Sequence, residues 1–267
     1  MTLGNESLNL LADAGCPGCR VPFVMELTMA FQPIVDISDG SVFAYEALVR
    51  GLDGSGAGSV ISQVTPDNRF AFDQLCRRRG VELAAKLGIT SRVSINFMPN
   101  AVYQPALCLG TTLAAARRHD FPIERIMFEV TEGEQIEDRP HLTNVLNEYK
   151  RQGFTTAIDD FGAGHSGLNL LAEFVPDVIK LDMELIRGID HDRVRQSIVV
   201  NCVRLARDLK IRLIAEGIET EAEFLMLKGL GVKLMQGYLL AKPAFEALPQ
   251  ITFPAVAEAA PRRRRAA

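Results

Sequence analysis

Seven short runs rich in Val, Ile, Leu and Phe recur along the chain, and each carries a carboxylate, an amide or a lysine near its end. In order they are AYEALVR with Glu46, VSINF with Asn96, IMFEVTE with Glu129, TTAIDDFG with Asp159 and Asp160, DVIKLD with Lys180 and Asp182, RLIAEGIE with Glu216, and KLMQGYLL with Gln236. Unbroken apolar runs of this length indicate strands covered on both faces. Helical periodicity fills the intervals, roughly over 68–88, 104–119, 139–152, 190–210 and 220–230. The clearest stripe is Val194, Ile198, Cys202, Leu205 and Leu209, with Asp190 and Asp192 placed to favour the positive end of the helix dipole. Strand followed by helix, repeated along most of the chain, predicts an α/β fold with a parallel sheet and outer helices. Polar residues spread over nearly every strand favour a closed TIM-like (β/α)8 barrel over an open sheet, which gathers its ligands at one switch point.

The pattern is weaker at both ends. Residues 1–25 are expected to form an irregular leader holding Cys16-Pro17-Gly18-Cys19, residues 26–250 the barrel, and residues 251–267 a disordered basic tail with Arg262 to Arg265. The stretch Gly51 to Ser59 reads as a flexible loop. A length of 267 residues suits one barrel, and 48% hydrophobic with 23% charged residues describes a globular protein with a large core. A net charge of −4 gives no case for binding a nucleic-acid polymer. No run approaches the roughly 20 apolar residues of a membrane span, and the N-terminus lacks the features of a secretory signal, so a cytoplasmic location is expected. The five cysteines do not form a disulfide framework, and Cys16 with Cys19 supplies only half of a tetrahedral zinc site.

A parallel barrel opens all its strand C-termini on one mouth, so Glu46, Asn96, Glu129, Asp159, Asp160 and Glu216 are expected to converge there. Such crowded carboxylates repel one another unless cations intervene. Oxygen ligands without a histidine in the strand-end segments favour magnesium or manganese over zinc or iron. Adjacent Asp159 and Asp160 would let one carboxylate bridge two ions, a device suited to displacement at phosphorus. Lys180 would orient or deprotonate the attacking water and Arg50 would pair with a phosphate oxygen. Any one of these residues alone is an ordinary strand-end or capping side chain. Their recurrence at successive strand ends points to phosphoester hydrolysis.

Read together, Glu46-Ala47-Leu48 with Arg50, FQPIVD from Phe31 to Asp36, Asn96, FEVTE, DDFGAG, KLD, AEGIE and QGY resemble the EAL-type cyclic-di-GMP phosphodiesterase domain family over about residues 28–248. The phrasing is most similar to the EAL halves of blue-light-sensing members. The resemblance implies a barrel whose first strand is antiparallel to the others, and two Mg²⁺ or Mn²⁺ ions that cleave cyclic di-GMP to linear pGpG. It implies Glu46, Asn96, Glu129 and Asp159 as ligands of one ion, with Asp159 bridging to a second held by Asp160 and Glu216. Lys180 resembles the lysine that positions water. Gln32, Arg50, Asp182 and Gln236 resemble substrate-side or water-ordering residues. Glu132 resembles the glutamate anchoring the loop after Asp160, and Glu219 an outer carboxylate. Calcium is expected to inhibit, because it prefers a larger and looser shell. The resemblance further implies a homodimer and leaves a separate sensor or regulatory partner to be expected. The loop reads DFGAGHSGL, with His165 where an aromatic is usual, a departure that touches regulation more than catalysis.

Overall fold

A computed structural model describes residues 20–131, 138–164 and 167–254. Eight strands close a barrel: β1 (Leu27–Asp36), β2 (Val42–Gly51), β3 (Arg92–Asn96), β4 (Ile126–Thr131), β5 (Thr155–Phe161), β6 (Val178–Leu181), β7 (Arg212–Ala215) and β8 (Leu234–Met235). From β2 to β8 neighbours are parallel, whereas β1 runs antiparallel to both β2 and β8 and so seals the ring. A short β9 (Ala244–Phe245) adds to β1 from outside, pairing Ala30 with Phe245. The implied reversed first strand is therefore present.

The long helices lie close to the predicted spans: α2 (Arg69–Lys86), α3 (Pro105–Arg118), α4 (Arg139–Arg151), α7 (Arg193–Asp208) and α8 (Glu221–Leu230). Local chemistry fixes their ends. Asp138 accepts from His141 N at the start of α4, and Asp192, not Asp190, caps α7 by accepting from Val194 N and Arg195 N. Thr220 and Glu223 form a reciprocal capping box at α8, which ends at Gly231 with φ of 94°. Three short helices have no counterpart in the sequence pattern: α1 (Ala57–Ile61), inside the expected glycine–serine loop, α5 (Gly167–Glu173) and α6 (Met183–Ile186). Runs of four to seven residues are too short for periodicity to show. Among the described residues no helix is long and apolar enough to cross a membrane.

The ends of the barrel take up more chain than expected. Phe23 packs at a tilt against Phe72 with ring centroids 5.0 Å apart. Ile251 packs on the core, and Thr252 N donates to Leu240 O at 2.9 Å, so the apolar start of the expected tail is part of the fold. The apolar stripe on α7 is not its buried face. Val199 and Ala206 are buried, while Val194 and Ile198 are exposed, Ile198 beside Leu168 of α5.

Inside the barrel, strand alternation builds layers. Ile34, Ala44, Met127, Ala157, Val178, Ile214 and Leu234 form an apolar floor. Two residues further along each parallel strand, on the same face, come Glu46, Glu129, Asp159, Lys180, Glu216 and Gln236. On β1 the direction is reversed, so the matching residue, Gln32, lies two positions before Ile34. The polar layer sits directly on the apolar one.

Candidate metal centre

Pairing between strands sets the side chains of this layer against one another. Gln32 lies opposite Glu46, and Asn96 lies beside Glu129. Asn96 Nδ2 donates to Glu46 Oε1 at 3.1 Å, and Gln236 Nε2 donates to Glu46 Oε2 at 2.7 Å. Gln236 also reaches Gln32 Oε1 at 3.2 Å, and Gln32 Nε2 donates to Ala241 O at 3.0 Å. The amides thus hold the Glu46 carboxylate from both flanks of β2, Asn96 on Oε1 and Gln236 on Oε2.

Lys180 occupies the centre and is fully buried. Its Nζ lies 2.7 Å from Glu216 Oε1, 2.9 Å from Glu129 Oε2, 3.0 Å from Asp159 Oδ1 and 3.8 Å from Glu46 Oε2. Burial alone would push the ammonium pKa down, but Asp159, Glu129, Glu216 and Glu46 outweigh it and hold the pKa well above the usual lysine range. Lys180 is a proton-bearing ammonium here, which suits it to orient water and not to deprotonate it. The carboxylates respond in the opposite sense. Burial, opposed by Lys180 and aided by Glu46 and Asp159, pushes Glu129 up to about 8. Burial and the charges of Asp159 and Asp182 push Asp160 up to about 6. Glu216 is raised well above the ordinary range, chiefly by burial.

The donor set fits two hard divalent cations. Glu46, Glu129 and Asp159 bring carboxylate oxygens within 4.8 Å of one another, as do Asp159, Asp160 and Glu216, so Asp159 belongs to both groups. Glu129 Oε1 is buried without a hydrogen-bond partner, which leaves a lone pair facing the site. Five carboxylates and one ammonium leave four formal negative charges, the number that two divalent cations balance.

Local geometry explains how the ligands are delivered. Asp160 adopts φ of 52° and its N–H donates to Asp159 Oδ1 at 2.9 Å, a left-handed kink that turns adjacent side chains toward a common point. Gly237 must be glycine: a Cβ there would lie 2.1 Å from Ile218 O, because the chain after Gln236 crosses the loop after Glu216 at backbone distance.

The other expected residues are less tightly placed. Arg50 follows Glu46 by four residues on the same face of β2, at the mouth, and donates to Val49 O at 2.7 Å. Asp182 is buried and caps α6, accepting from Glu184 N at 2.8 Å. Glu219 stands apart from the cluster: it is half exposed and pairs with Arg187 at 2.9 Å. The carboxylate organising that loop is Glu223, which accepts from Gly188 N, Glu219 N and Thr220 N. The signal for it was the T-x-x-E capping pattern at Thr220. Glu132, His165, Cys16, Cys19 and Arg262 to Arg265 lie outside the described residues.

Comparison with known proteins follows the same outline. A model of the EAL domain family matches residues 24–243. The chain belongs to this family. A standalone EAL protein from Vibrio cholerae O395, solved in a c-di-GMP-bound form, is 57% identical, with 86% of this chain and 97% of that one aligned at a TM-score of 0.84. BlrP1 of Klebsiella pneumoniae, solved with cyclic di-GMP and calcium, is 33% identical over 84% of this chain and 57% of its own, at a TM-score of 0.80. The same protein has also been solved with cyclic di-GMP and manganese. Cyclic di-GMP phosphodiesterase PdeR of Escherichia coli is 30% identical over 240 residues, which are 85% of this chain and 35% of PdeR. The chain spans 28% to 60% of the length of the first curated relatives it matches, the largest share being of a blue light- and temperature-regulated antirepressor.

Proposed function

We propose that this EAL domain hydrolyses cyclic di-GMP to linear pGpG with two Mg²⁺ or Mn²⁺ ions. The observation that carries this is the pair of carboxylate groups sharing Asp159, with the Lys180 ammonium in contact with both. Glu46, Asn96, Glu129 and Asp159 would hold one ion, and Asp159, Asp160 and Glu216 the other. Once bound, such ions supply Lewis acidity at the phosphoryl oxygens and at the attacking and leaving oxygens. Water adds to phosphorus, one P–O3′ bond breaks, and the proton released ends on the departing 3′ oxygen, leaving a 5′-phosphate.

Lys180 keeps its proton throughout and directs the water by hydrogen bonding. Gln32 and Gln236 orient Glu46, Arg50 at the rim meets a phosphate oxygen, and Asp182 secures the turn beyond Lys180. Glu219 acts from outside the cluster through Arg187. Cyclic-di-GMP complexes of the Vibrio and Klebsiella relatives, the latter with calcium or manganese, support both the substrate and the use of divalent metal.

The protein would work in the cytoplasm as a homodimer under a separate sensory or regulatory partner. A groove of about 470 Å³ lined by Leu168, Ile198, Cys202 and Leu205 with Ser197 and Asn201 supports the dimer, since it joins α7 to the helix after the Asp160 loop. Sedimentation showing only monomer at micromolar concentration with full activity would remove the dimer from this scheme. The test of the activity is direct: purified protein, cyclic di-GMP and Mg²⁺ or Mn²⁺, with pGpG followed by chromatography. Tight binding of cyclic di-GMP without pGpG in either metal would make the protein a receptor.

A further inference from the structure

Behind the Asn96–Glu129 side of the barrel lies a buried charge pair that hydrolysis does not use. Asp73 and Arg77 stand four residues apart on α2, at 2% and 0% exposure, with Oδ2 and Nη2 separated by 2.7 Å. Arg77 Nη1 donates to Tyr149 Oη at 2.6 Å. Its guanidinium carbon lies 5.3 Å from the ring centre of Phe97, 5.0 Å from Phe128 and 5.4 Å from Tyr149. The other oxygen of Asp73 accepts from Met98 N at 2.9 Å.

A buried ion pair is poor evidence of added stability, because apolar side chains of similar volume often hold a fold equally well. Its placement offers a better account. Phe97, the first residue past β3, and Phe128 on β4 are the outward neighbours of Asn96 and Glu129, so the guanidinium cage grips the backs of the two strands whose front faces carry these oxygens. Phe97 N also donates to Glu129 O at 3.0 Å, joining the strands at this level. Asn96 is exposed at the strand end and its side chain bonds Glu46, so burial does not orient it. Asp73 supplies what is missing by fixing the peptide two residues beyond Asn96. The Asp73 carboxylate accepts that N–H, Arg77 balances its buried charge, and the aromatic cage seats Arg77.

We infer that Asp73 and Arg77 are positioning residues that set Asn96 and Glu129 for one of the two ions. This rests on the metal assignment above. Two double variants separate positioning from folding. D73N/R77M removes both charges but keeps an acceptor for Met98 N, whereas D73L/R77M removes charges and acceptor while keeping volume. Mn²⁺ uptake by the metal-free protein would be measured by electron paramagnetic resonance and calorimetry, beside thermal unfolding. D73N/R77M should bind Mn²⁺ within about threefold of wild type. D73L/R77M should bind one ion about 10- to 100-fold more weakly, the range for residues that orient a ligand from behind. Adding N96A to D73L/R77M should then weaken uptake no further.

Phe97→Leu, which loosens the residue between Asn96 and the Met98 peptide held by Asp73, should weaken the same ion about three- to tenfold, and it serves where D73L/R77M does not unfold cooperatively. Wild-type uptake matched by D73L/R77M, or by F97L when that variant stands in, would overturn this role alone. Wild-type protein that takes up no Mn²⁺ would overturn the metal assignment, and this role with it.

Discussion

Replacing Lys180 by Met removes the cation while keeping most of the side-chain volume, and its effect should depend on whether ions are bound. In the metal-free protein Lys180 contacts Glu216, Glu129 and Asp159 within 3.0 Å and Glu46 at 3.8 Å. Breaking a buried pair by removing one partner costs about 3–5 kcal/mol, because a charge is left without compensation. For a domain of this size each kcal/mol moves Tm by roughly 2–4 °C, so K180M should melt about 6–20 °C below wild type in EDTA. With Mg²⁺ or Mn²⁺ bound, the ions neutralise the same carboxylates, and the deficit should shrink to within roughly 1 kcal/mol, the scale of a weak pair. Protons can also replace the ammonium, so the EDTA deficit should be larger at pH 8.5 than at pH 6.5. Scanning fluorimetry with and without metal measures this difference. Turnover to pGpG should fall at least about a hundredfold in saturating metal, the usual scale for a residue handling the nucleophile. Equal deficits with and without ions would refute the shared-carboxylate account, and undiminished turnover would remove Lys180 from the chemistry.

Three further outcomes follow from the same geometry. Gly237→Ala places a Cβ 2.1 Å from Ile218 O and 2.4 Å from Ile218 N, both backbone atoms. The loop must move, and urea denaturation should show a loss of about 1–3 kcal/mol or more, with turnover falling as Gln236 leaves Glu46. Calcium should bind the oxygen ligands yet inhibit, because its larger shell does not hold the compact octahedral geometry; pGpG formation in calcium matching that in magnesium would contradict the site. In EDTA the wild-type protein should lose stability as pH rises. Glu129 and Asp160 bind protons more tightly folded, at about 8 and about 6, than at their ordinary values of 4.5 and 3.8. The native state therefore holds more protons across that window, and stability should decline from about pH 4 to pH 8 and then level off. Denaturation in EDTA from pH 4 to pH 9 checks the sign, and a flat or rising curve would contradict it.

The residues facing the barrel interior could be read from the sequence because strand alternation is strict. Once Ala44, Met127, Ala157, Val178, Ile214 and Leu234 are floor residues, the position two further on each strand must face the same interior. The direction of β1 could not be read that way, since a reversed strand shows the same alternation, and only the family resemblance supplied it. Arg77 was hidden within Arg77-Arg78-Arg79, which looks like a solvated run. Yet Asp73, Arg77, Gly80, Val81 and Ala84 fall on one buried face of α2, and this spacing marked Arg77 as inward. Glu219 was expected near the chemistry from its motif, but motif membership says nothing about side-chain direction, and Arg187 holds it at the surface.

The helix α6 shows how short elements escape periodicity and still govern a site. It follows Lys180 directly, is capped by Asp182, and carries two side chains pressed against glycines of the ligand loops. Met183 lies against Gly217, the residue after Glu216, and Leu185 against Gly162, two residues after Asp160; a Cβ at either glycine would come within 2.4 and 2.6 Å of them. Both glycines have positive φ, so each loop turns sharply there and leans on α6. Asp160 and Glu216, the two carboxylates proposed to join Asp159 at one ion, are therefore spaced by a single turn of helix. Leu185→Ala removes one support without touching a ligand or Lys180. Since the side chain is only partly buried, the stability loss should stay below about 2 kcal/mol, less than a full core truncation. The Mg²⁺ concentration for half-maximal turnover should rise about tenfold, as for residues that orient a ligand from behind, while the rate at saturating metal changes little. An unchanged metal dependence would show that the Asp160 turn holds its own shape and that α6 is only a connection.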